Sequence, residues 1–296
     1  MTKKSKWSGK SKGSALGNLI FIKLIASFGT LPAYALLMMV ALKYALMDKE
    51  FQKSVAQFRA HLGLSTSRYH YYIHAVSFGM SLIDSIAFLV GRARGFTLSQ
   101  SGRHHLDEAL CRRKGAIFLS GHLGNWEIAG NMLRDSADTA VNFIMLDAEK
   151  ENVKRVLSKA TGRRKVNVIP VSDNPIEMIL PIKKALRRNE IVCMHGDRCV
   201  GYEEKAAVSF LGEEAQFPVG PFAVAALTGA PVIPAFTLKT GLHSYSLYVY
   251  EPIFVSGEPE RGVTQERAMK RYVSILEDIA RRHPCQWYNY FSFWGD

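Results

Sequence analysis

The stretch "FLSGHLGNWEIAG", residues 118–130, runs from a strand-like apolar segment into a helix-like one. A histidine, two glycines, an asparagine and a glutamate lie where the two segments meet. In an α/β sheet, functional groups collect where strands end and helices begin. The stretch therefore predicts both an α/β fold and a functional site at one edge of its sheet.

The pattern continues along the chain, because strand-like and helix-like segments alternate from residue 115 onward. We predict strands near 115–120, 140–146, 166–171, 190–196, 206–212, 231–238 and 244–255. We predict helices near 49–63, 66–90, 125–135, 148–160, 175–188, 219–228 and 264–282. This order indicates an α/β domain with a central, mostly parallel sheet that is flanked by helices.

Composition limits the functions to consider. The 296 residues carry a net charge of +12, which suits an acidic partner such as nucleic acid, an anionic membrane face or an acidic carrier protein. The basic residues are dispersed and form no known nucleic-acid motif, so we exclude nucleic acid as the partner. The four cysteines lack zinc-ligand spacing and are interpreted as reduced thiols; we predict neither a metal nor an organic cofactor.

The N-terminal region differs from the rest. Residues 1–18 hold five lysines and no acid, and the 29 residues of segment 19–47 carry charge only at Lys23 and Lys43. A cleaved signal peptide, a single transmembrane span and a re-entrant or in-plane hairpin bent at Gly29 and Pro32 are the three alternatives. We therefore divide the chain into a basic N-terminus with a membrane-anchoring helix or hairpin (1–47) and a catalytic domain (48–296).

His122 and Glu127 are the predicted catalytic residues. They are five positions apart across a loop-to-helix turn, so the carboxylate can fold back onto the imidazole and hold one ring nitrogen while the other takes a proton. Asn125 is expected to cap the helix. The alternative is that His122 packs and Glu127 is an ordinary acid of a first helical turn. No GxSxG elbow occurs, which argues against a serine hydrolase.

Five stretches carry a family resemblance. "GHLGNWE" resembles the H-x4-D/E motif of glycerolipid acyltransferases, and its surroundings resemble the lipid A late (lauroyl/myristoyl) acyltransferase family. Four further stretches resemble that family in order, namely "WSGKSKG" at 7–13, "GDRCV" at 196–200, "FLGEEAQFPVGPFAVAALTGAPVIPAF" at 210–236 and "HPCQWYNYFSFW" at 283–294. "HGDR" differs from the Asp-Gln common in the main lipid A enzymes, so the resemblance indicates a divergent member whose acceptor is left open.

The resemblance implies transfer of a fatty acyl chain from acyl carrier protein to a hydroxyl of a glycolipid or lipid A-like acceptor. His122 would be the general base, oriented by Glu127. Backbone N–H groups of Gly124 and Asn125 would stabilise the oxyanion. Arg198 would contact phosphate, with Asp197 orienting it. Gly220, in the "FPVGP" segment at 217–221, would open a helix that receives an anion.

The same resemblance decides the predicted location. Acyl carrier protein is cytosolic, so the catalytic domain is expected to face the cytoplasm on the bacterial cytoplasmic (inner) membrane, which favours the hairpin or in-plane anchor. The alternative function is a membrane protein that binds lipid or acyl carrier protein without turnover. Such a protein would keep the pocket without depending on His122.

Overall fold

The computed structural model describes residues 15–136, 139–145, 166–172, 175–199, 204–256 and 263–294. The lysine-rich stretch at 1–14 and the helix predicted near 148–160 lie outside these residues. The described helices are α1 (Ala15–Phe28), α2 (Thr30–Met47), α3 (Lys49–His61), α4 (Arg68–Leu89), α5 (Arg103–Cys111), α6 (Trp126–Ser136), α7 (Pro175–Arg187), α8 (Gly220–Thr228) and α9 (Gln265–Arg282). The described strands are β1 (Thr97–Ser101), β2 (Ala116–Ser120), β3 (Val141–Met145), β4 (Val166–Pro170), β5 (Ile191–His195), β6 (Lys205–Phe210), β7 (Glu213–Pro218), β8 (Val232–Gly241) and β9 (Ser244–Val249).

Seven strands form one sheet in the order β1-β9-β8-β2-β5-β3-β4. The strands from β8 to β4 run parallel, β8 and β9 pair antiparallel, and β1 runs parallel to β9. The predicted mostly parallel α/β sheet is therefore confirmed. The strand β2 lies in its interior, between β8 and β5, and four of its five residues are buried, which explains its nearly continuous apolar sequence.

Three elements were not predicted: β1, α5 and β7. Four of the five residues of β1 are exposed, and its sequence "TLSQS" carries no apolar alternation. The strand β7 pairs antiparallel with β6 in a separate two-stranded sheet. The turn between these two strands contains Leu211 and Gly212, both with positive φ. The sequence predicts one strand at 206–212 in this segment, and the structure has a two-stranded hairpin there.

Two of the described helices begin at a side chain that satisfies a free backbone N–H group. Asp48 accepts from the N–H of Phe51 at the start of α3, and Thr264 accepts from the N–H of Arg267 at the start of α9. The helix α9 is the most amphipathic of the described helices and buries seven residues, among them Tyr272 and Leu276. This apolar face packs in the core cluster that also holds the residues of β2, β5 and β8.

The apolar run 19–47 forms two helices rather than one, because the chain turns at Gly29, where φ is +82°. The break expected at this glycine is confirmed. Pro32 lies in the first turn of α2, where a missing N–H removes no helical hydrogen bond. The helix α2 packs closely on α4, since a Cβ on Gly79 would lie 2.2 Å from the Leu37 side chain.

Much of the N-terminal apolar surface remains exposed. Two described helices, Thr30–Met47 and Arg68–Leu89, are long and apolar enough to cross a membrane, a criterion that core helices of soluble proteins also meet. In each, 33% of the apolar window is buried inside the protein. The exposed large apolar residues of α1 and α2 are Leu16, Leu19, Ile20, Ile22, Phe28, Leu31, Met39, Leu42, Leu46 and Met47.

A buried polar cluster joins the N-terminal helices to the sheet. Asp84 on α4 is fully buried. Its carboxylate accepts from the Tyr34 hydroxyl on α2, from Lys239 Nζ at 2.5 Å and from the Tyr245 hydroxyl at 2.5 Å. Lys239 belongs to β8 and Tyr245 to β9. The predicted anchor segment and the predicted catalytic domain therefore share one hydrogen-bonded core.

Candidate active site

The site lies at the carboxyl ends of β2 and β5, which are adjacent and parallel with Ser120 paired to His195. His122 follows β2 by two residues, and Asp197 follows β5 by two residues. Two polar side chains at neighbouring parallel strand ends meet at the same sheet edge. This explains how the sheet brings the histidine and the aspartate together.

Asp197 holds His122 at two atoms. The His122 Nδ1 lies 2.8 Å from Asp197 Oδ1, and the backbone N–H of His122 donates to Asp197 Oδ2 at 2.8 Å. Trp287 Nε1 also donates to Oδ2, at 3.2 Å. The Asp197 side chain is fully buried, so these donors compensate the loss of water around its charge. Glycine at position 121 leaves room for this carboxyl group, because a Cβ there would lie 3.1 Å from it.

The surroundings keep His122 neutral. Burial lowers the pKa of His122, as does the nearby Arg198 guanidinium, while the Asp197 carboxylate opposes this by raising it. Burial raises the pKa of Asp197, but its interaction with His122, including the hydrogen bond, and the nearby Arg198 guanidinium outweigh burial and bring that pKa below its ordinary value. A neutral imidazole beside an ionised carboxylate is the protonation state that a general base requires.

The second ring nitrogen of His122 is accessible. The side chain is 22% exposed, and the described part of the chain offers Nε2 no hydrogen-bond partner. Because Nδ1 faces Asp197, Nε2 is the nitrogen that can accept a proton from outside. The arrangement is the orienting half of a catalytic triad, with the nucleophile left to a substrate hydroxyl.

The orienting carboxylate differs from the one we predicted. We expected Glu127 to hold His122, and the structure places the carboxylate of Asp197 on Nδ1 instead. Glu127 lies in the first turn of α6 and is partly buried. Asp197 was expected to orient Arg198, but its two oxygens accept from His122 and Trp287. The catalytic role of Glu127 stays a prediction.

The turn after His122 is built from backbone contacts. Gly124 has φ of +74°, and a Cβ there would lie 2.1 Å from the Thr237 carbonyl oxygen. The N–H of Gly124 donates to the Gln286 carbonyl at 2.8 Å, and the N–H of Asn125 donates to the Thr237 carbonyl at 2.7 Å. Both N–H groups therefore donate to carbonyl oxygens of the protein in this structure, and their role as oxyanion donors stays a prediction.

The expected N-cap is confirmed. Asn125 Oδ1 accepts from the N–H of Ile128 at 3.1 Å, which satisfies one free donor of α6. The amide of the same side chain donates to the Ser81 carbonyl at 2.9 Å and to Ser85 Oγ at 3.0 Å. Both serines belong to α4, so this helix holds the first turn of α6 in place.

The two predicted anion contacts have different surroundings. An Nη of Arg198 donates to the Tyr288 carbonyl at 2.7 Å, and its guanidinium lies 5.4 Å from the Phe291 ring centre. Arg198 thus contacts the segment that follows the HPCQW motif. Gly220 begins α8, as predicted, with Pro221 at the next position. Binding of an anion at either residue stays a prediction.

Sequence reasoning missed how the C-terminal segment takes part in the site. Besides the Trp287 contact with Asp197, the N–H of Tyr288 donates to the His122 carbonyl at 2.7 Å. Trp287 and Tyr288 are buried, so these aromatic residues belong to the core. Their place in the stretch "HPCQWYNYFSFW" at 283–294 was the available signal, and only the fold shows which residues they contact.

His195 lies against His122. Its ring centre is 4.4 Å from that of His122 and 5.4 Å from that of Trp126. Burial and the neighbouring His122 lower the pKa of His195 to about 3, so this imidazole is neutral at physiological pH. The two rings and the Trp126 indole form a partly exposed surface over the strand ends.

A groove lies close to the turn. Its cavity of about 350 Å³ is lined on one side by Ile73, Val76, Ser77 and Met80 of α4, and on the other by Lys239, Gly241, Cys285 and Gln286. The lining is almost wholly apolar. Gln286 connects the groove to the turn, because its carbonyl accepts the N–H of Gly124.

The fold and site together define an α/β protein with a histidine, held by a buried aspartate, at the carboxyl ends of two central strands. The chain belongs to the family of bacterial lipid A biosynthesis acyltransferases, whose pattern matches residues 42–292. The family predicted from the motifs is therefore confirmed.

Two related proteins are mycobacterial phosphatidylinositol mannoside acyltransferases. The chain is 27% identical over 190 residues to that of Mycobacterium tuberculosis, which is 63% of this chain and 57% of the relative. It is 23% identical over 184 residues to that of Mycolicibacterium smegmatis, which is 62% of this chain and 58% of the relative. The chain thus matches less than two thirds of the length of each relative.

Proposed function

We propose that this protein is a membrane-associated acyltransferase that moves a fatty acyl chain from acyl carrier protein to a hydroxyl of a glycolipid. The observation that carries the proposal is the contact between His122 Nδ1 and Asp197 Oδ1, which leaves Nε2 accessible. Family membership supports the reaction type. The names of the mycobacterial relatives support an acceptor with sugar or cyclitol hydroxyls.

The reaction follows from this geometry. His122 Nε2 takes the proton of the acceptor hydroxyl as its oxygen attacks the thioester carbonyl carbon. The carbon–sulfur bond then breaks, and the imidazolium returns the proton to the leaving thiolate, so the products are an ester and a thiol. Asp197 stabilises the imidazolium between the two proton transfers. A positioned base of this kind contributes about 10²–10⁴-fold to the rate.

Glu127 and the apolar groove complete the proposal. Glu127 lies in the first turn of α6, where the helix dipole favours a negative charge, and it supports the imidazolium as a second carboxylate. The groove beside Gln286 receives the acyl chain, since its apolar lining suits methylene groups and it adjoins the turn that follows His122.

The catalytic test compares two histidine variants. Labelled acyl carrier protein thioesters are incubated with membrane glycolipid acceptors and purified full-length protein. We expect His122→Ala to lower transfer at least 10²-fold with unchanged thermal unfolding. His104→Ala, at an exposed position of α5, serves as the matched control and should equal the wild type. Transfer that survives His122→Ala would refute the proposed base. Parallel assays with acyl-CoA decide whether the carrier protein is the donor.

We also propose that the exposed apolar residues of α1 and α2 attach the protein to the inner face of the bacterial cytoplasmic membrane. This location gives the catalytic residues access to a cytosolic donor. The test places a cysteine at the exposed position Ala60, in a Cys111→Ser background, and applies a membrane-impermeant maleimide to spheroplasts. Labelling only after lysis is expected. Labelling of intact spheroplasts would overturn the placement.

A further inference from the structure

We propose that His195 is a specificity-determining residue that hydrogen-bonds the hydroxyl next to the one being acylated. The inference rests on the proposed function, because it assumes that His122 deprotonates an acceptor hydroxyl. It goes further by naming the acceptor feature that His195 recognises. This feature is a pair of neighbouring hydroxyls, as on a sugar or cyclitol ring.

The first step is the position of His195. It ends β5 directly beside Ser120, the last residue of β2. Its ring centre lies 4.4 Å from that of His122, with a tilt of 54° between the rings. If the reacting hydroxyl is bound at Nε2 of His122, a hydroxyl on the neighbouring carbon of the acceptor can reach the His195 ring.

The second step is the unused hydrogen-bonding capacity of His195. Across the described ranges of the chain, no side chain or backbone group bonds to either of its ring nitrogens, and the residue is partly exposed rather than buried. Its protein contacts are through the ring faces and edges, to His122 and to Trp126 at 81°. Two aromatic neighbours fix the ring plane and leave the nitrogens to a ligand.

The third step is charge. His195 is neutral because its partly buried position lowers its pKa and the neighbouring His122 lowers it further. A neutral imidazole offers one N–H donor and one nitrogen acceptor, which matches a hydroxyl group that both donates and accepts. An anionic group would instead call for a second donor, so a hydroxyl suits this position better than a phosphate.

The experiment measures a ratio of acceptors. n-Octyl mannoside and its monodeoxy derivatives are assayed with a palmitoyl thioester of acyl carrier protein, after the acylated position has been assigned by mass spectrometry and NMR. The wild type should show kcat/KM about tenfold higher for the parent glycoside than for the derivative that lacks the neighbouring hydroxyl, the value of one neutral hydrogen bond.

The variants separate recognition from packing. His195→Phe keeps an aromatic ring against His122 and Trp126 but cannot hydrogen-bond, so the ratio should fall toward one. His195→Gln restores a donor and an acceptor and should recover most of the ratio. His104→Ala should equal the wild type. A wild-type ratio in His195→Phe would overturn the inference alone. Absence of transfer by the wild type from any thioester would overturn the proposed function and the inference with it.

Discussion

Asp197 and His122 lie 75 positions apart in the sequence, yet Asp197 Oδ1 is 2.8 Å from His122 Nδ1. The pairing of β2 with β5 produces this contact, because each residue follows its strand by two positions. The carboxylate that contacts the His122 ring therefore follows a different strand, and it is not the nearer carboxylate of Glu127.

The first prediction concerns this contact. Asp197→Asn keeps the size of the side chain but removes the charge that stabilises the imidazolium, so kcat should fall about 10²–10⁴-fold with little change in KM. Steady-state transfer kinetics test it. Glu127→Gln is the matched comparison and should lower kcat less than Asp197→Asn. The reverse order would return the orienting role to Glu127.

The second prediction concerns pH. His122 acts as a base only when neutral, so kcat/KM should rise with pH through the pKa of His122 and then level off. Because burial and Arg198 lower that pKa against the opposing Asp197, the plateau should begin below the ordinary imidazole range. In Asp197→Asn the residual activity should level off at still lower pH, since the group that raises the pKa is gone. A rise of kcat/KM centred at or above the ordinary imidazole pKa would contradict this argument.

The third prediction concerns the glycine after His122. Gly124→Ala must strain a positive φ and also push a methyl group against the Thr237 carbonyl, so both transfer activity and thermal stability should fall. Gly212→Ala is the control, because its φ is +90° and nothing lies within 4 Å of the added carbon. Loss of stability without loss of activity is expected there. Equal activity losses in both variants would show that the close contact at Gly124 is unimportant.

The fourth prediction concerns the buried cluster. Asp84→Asn leaves the Lys239 ammonium, whose side chain is only 13% exposed, without its counter-charge. Removing one partner of a buried pair costs about 3–5 kcal/mol, which corresponds to a fall in Tm of about 10 °C for a chain of this size. Glu266→Gln breaks the exposed pair with Lys270 and should leave Tm unchanged. Calorimetry of both variants measures Tm, and an unchanged Tm in Asp84→Asn would contradict the prediction.

The fifth prediction concerns the exposed apolar surface. The double variant Leu42→Ser and Leu46→Ser removes two exposed leucines of α2, and each buried leucine contributes about 1.5–3 kcal/mol. Partitioning onto anionic lipid vesicles should therefore fall at least tenfold. Leu227→Ser changes an exposed leucine of α8 and should bind as the wild type does. Equal binding by all three proteins would remove α2 from the proposed membrane contact.

Much of the sheet could be predicted because its interior strands are short apolar runs with helices between them. The five residues of β2 and of β5 are typical cases, and both appear in the structure where the pattern indicated. The strand β1 could not be predicted in this way. It lies at the sheet edge with an exposed, polar sequence, and only its pairing with β9 makes it a strand.

The site was predictable in part for a related reason. His122 and the cap at Asn125 depend on local sequence, which shows a strand end and a helix start. The partner of His122 depends on which strand lies next to β2, and sequence spacing favoured the nearer Glu127. The use of the Gly124 and Asn125 N–H groups depends on Gln286 and Thr237, which are distant in sequence and adjacent only in the folded protein.

The bond from the Asn125 amide to Ser81 and Ser85 has a practical consequence. It ties the turn that carries the base to α4, a helix with the length and composition of a membrane-crossing segment. A detergent or lipid that bound along α4 would therefore act on a helix that is hydrogen-bonded to the turn after His122. Turnover numbers for different variants should therefore be compared in one bilayer mimic, such as nanodiscs of fixed composition. A different detergent or lipid could otherwise change the rate as much as a substitution does.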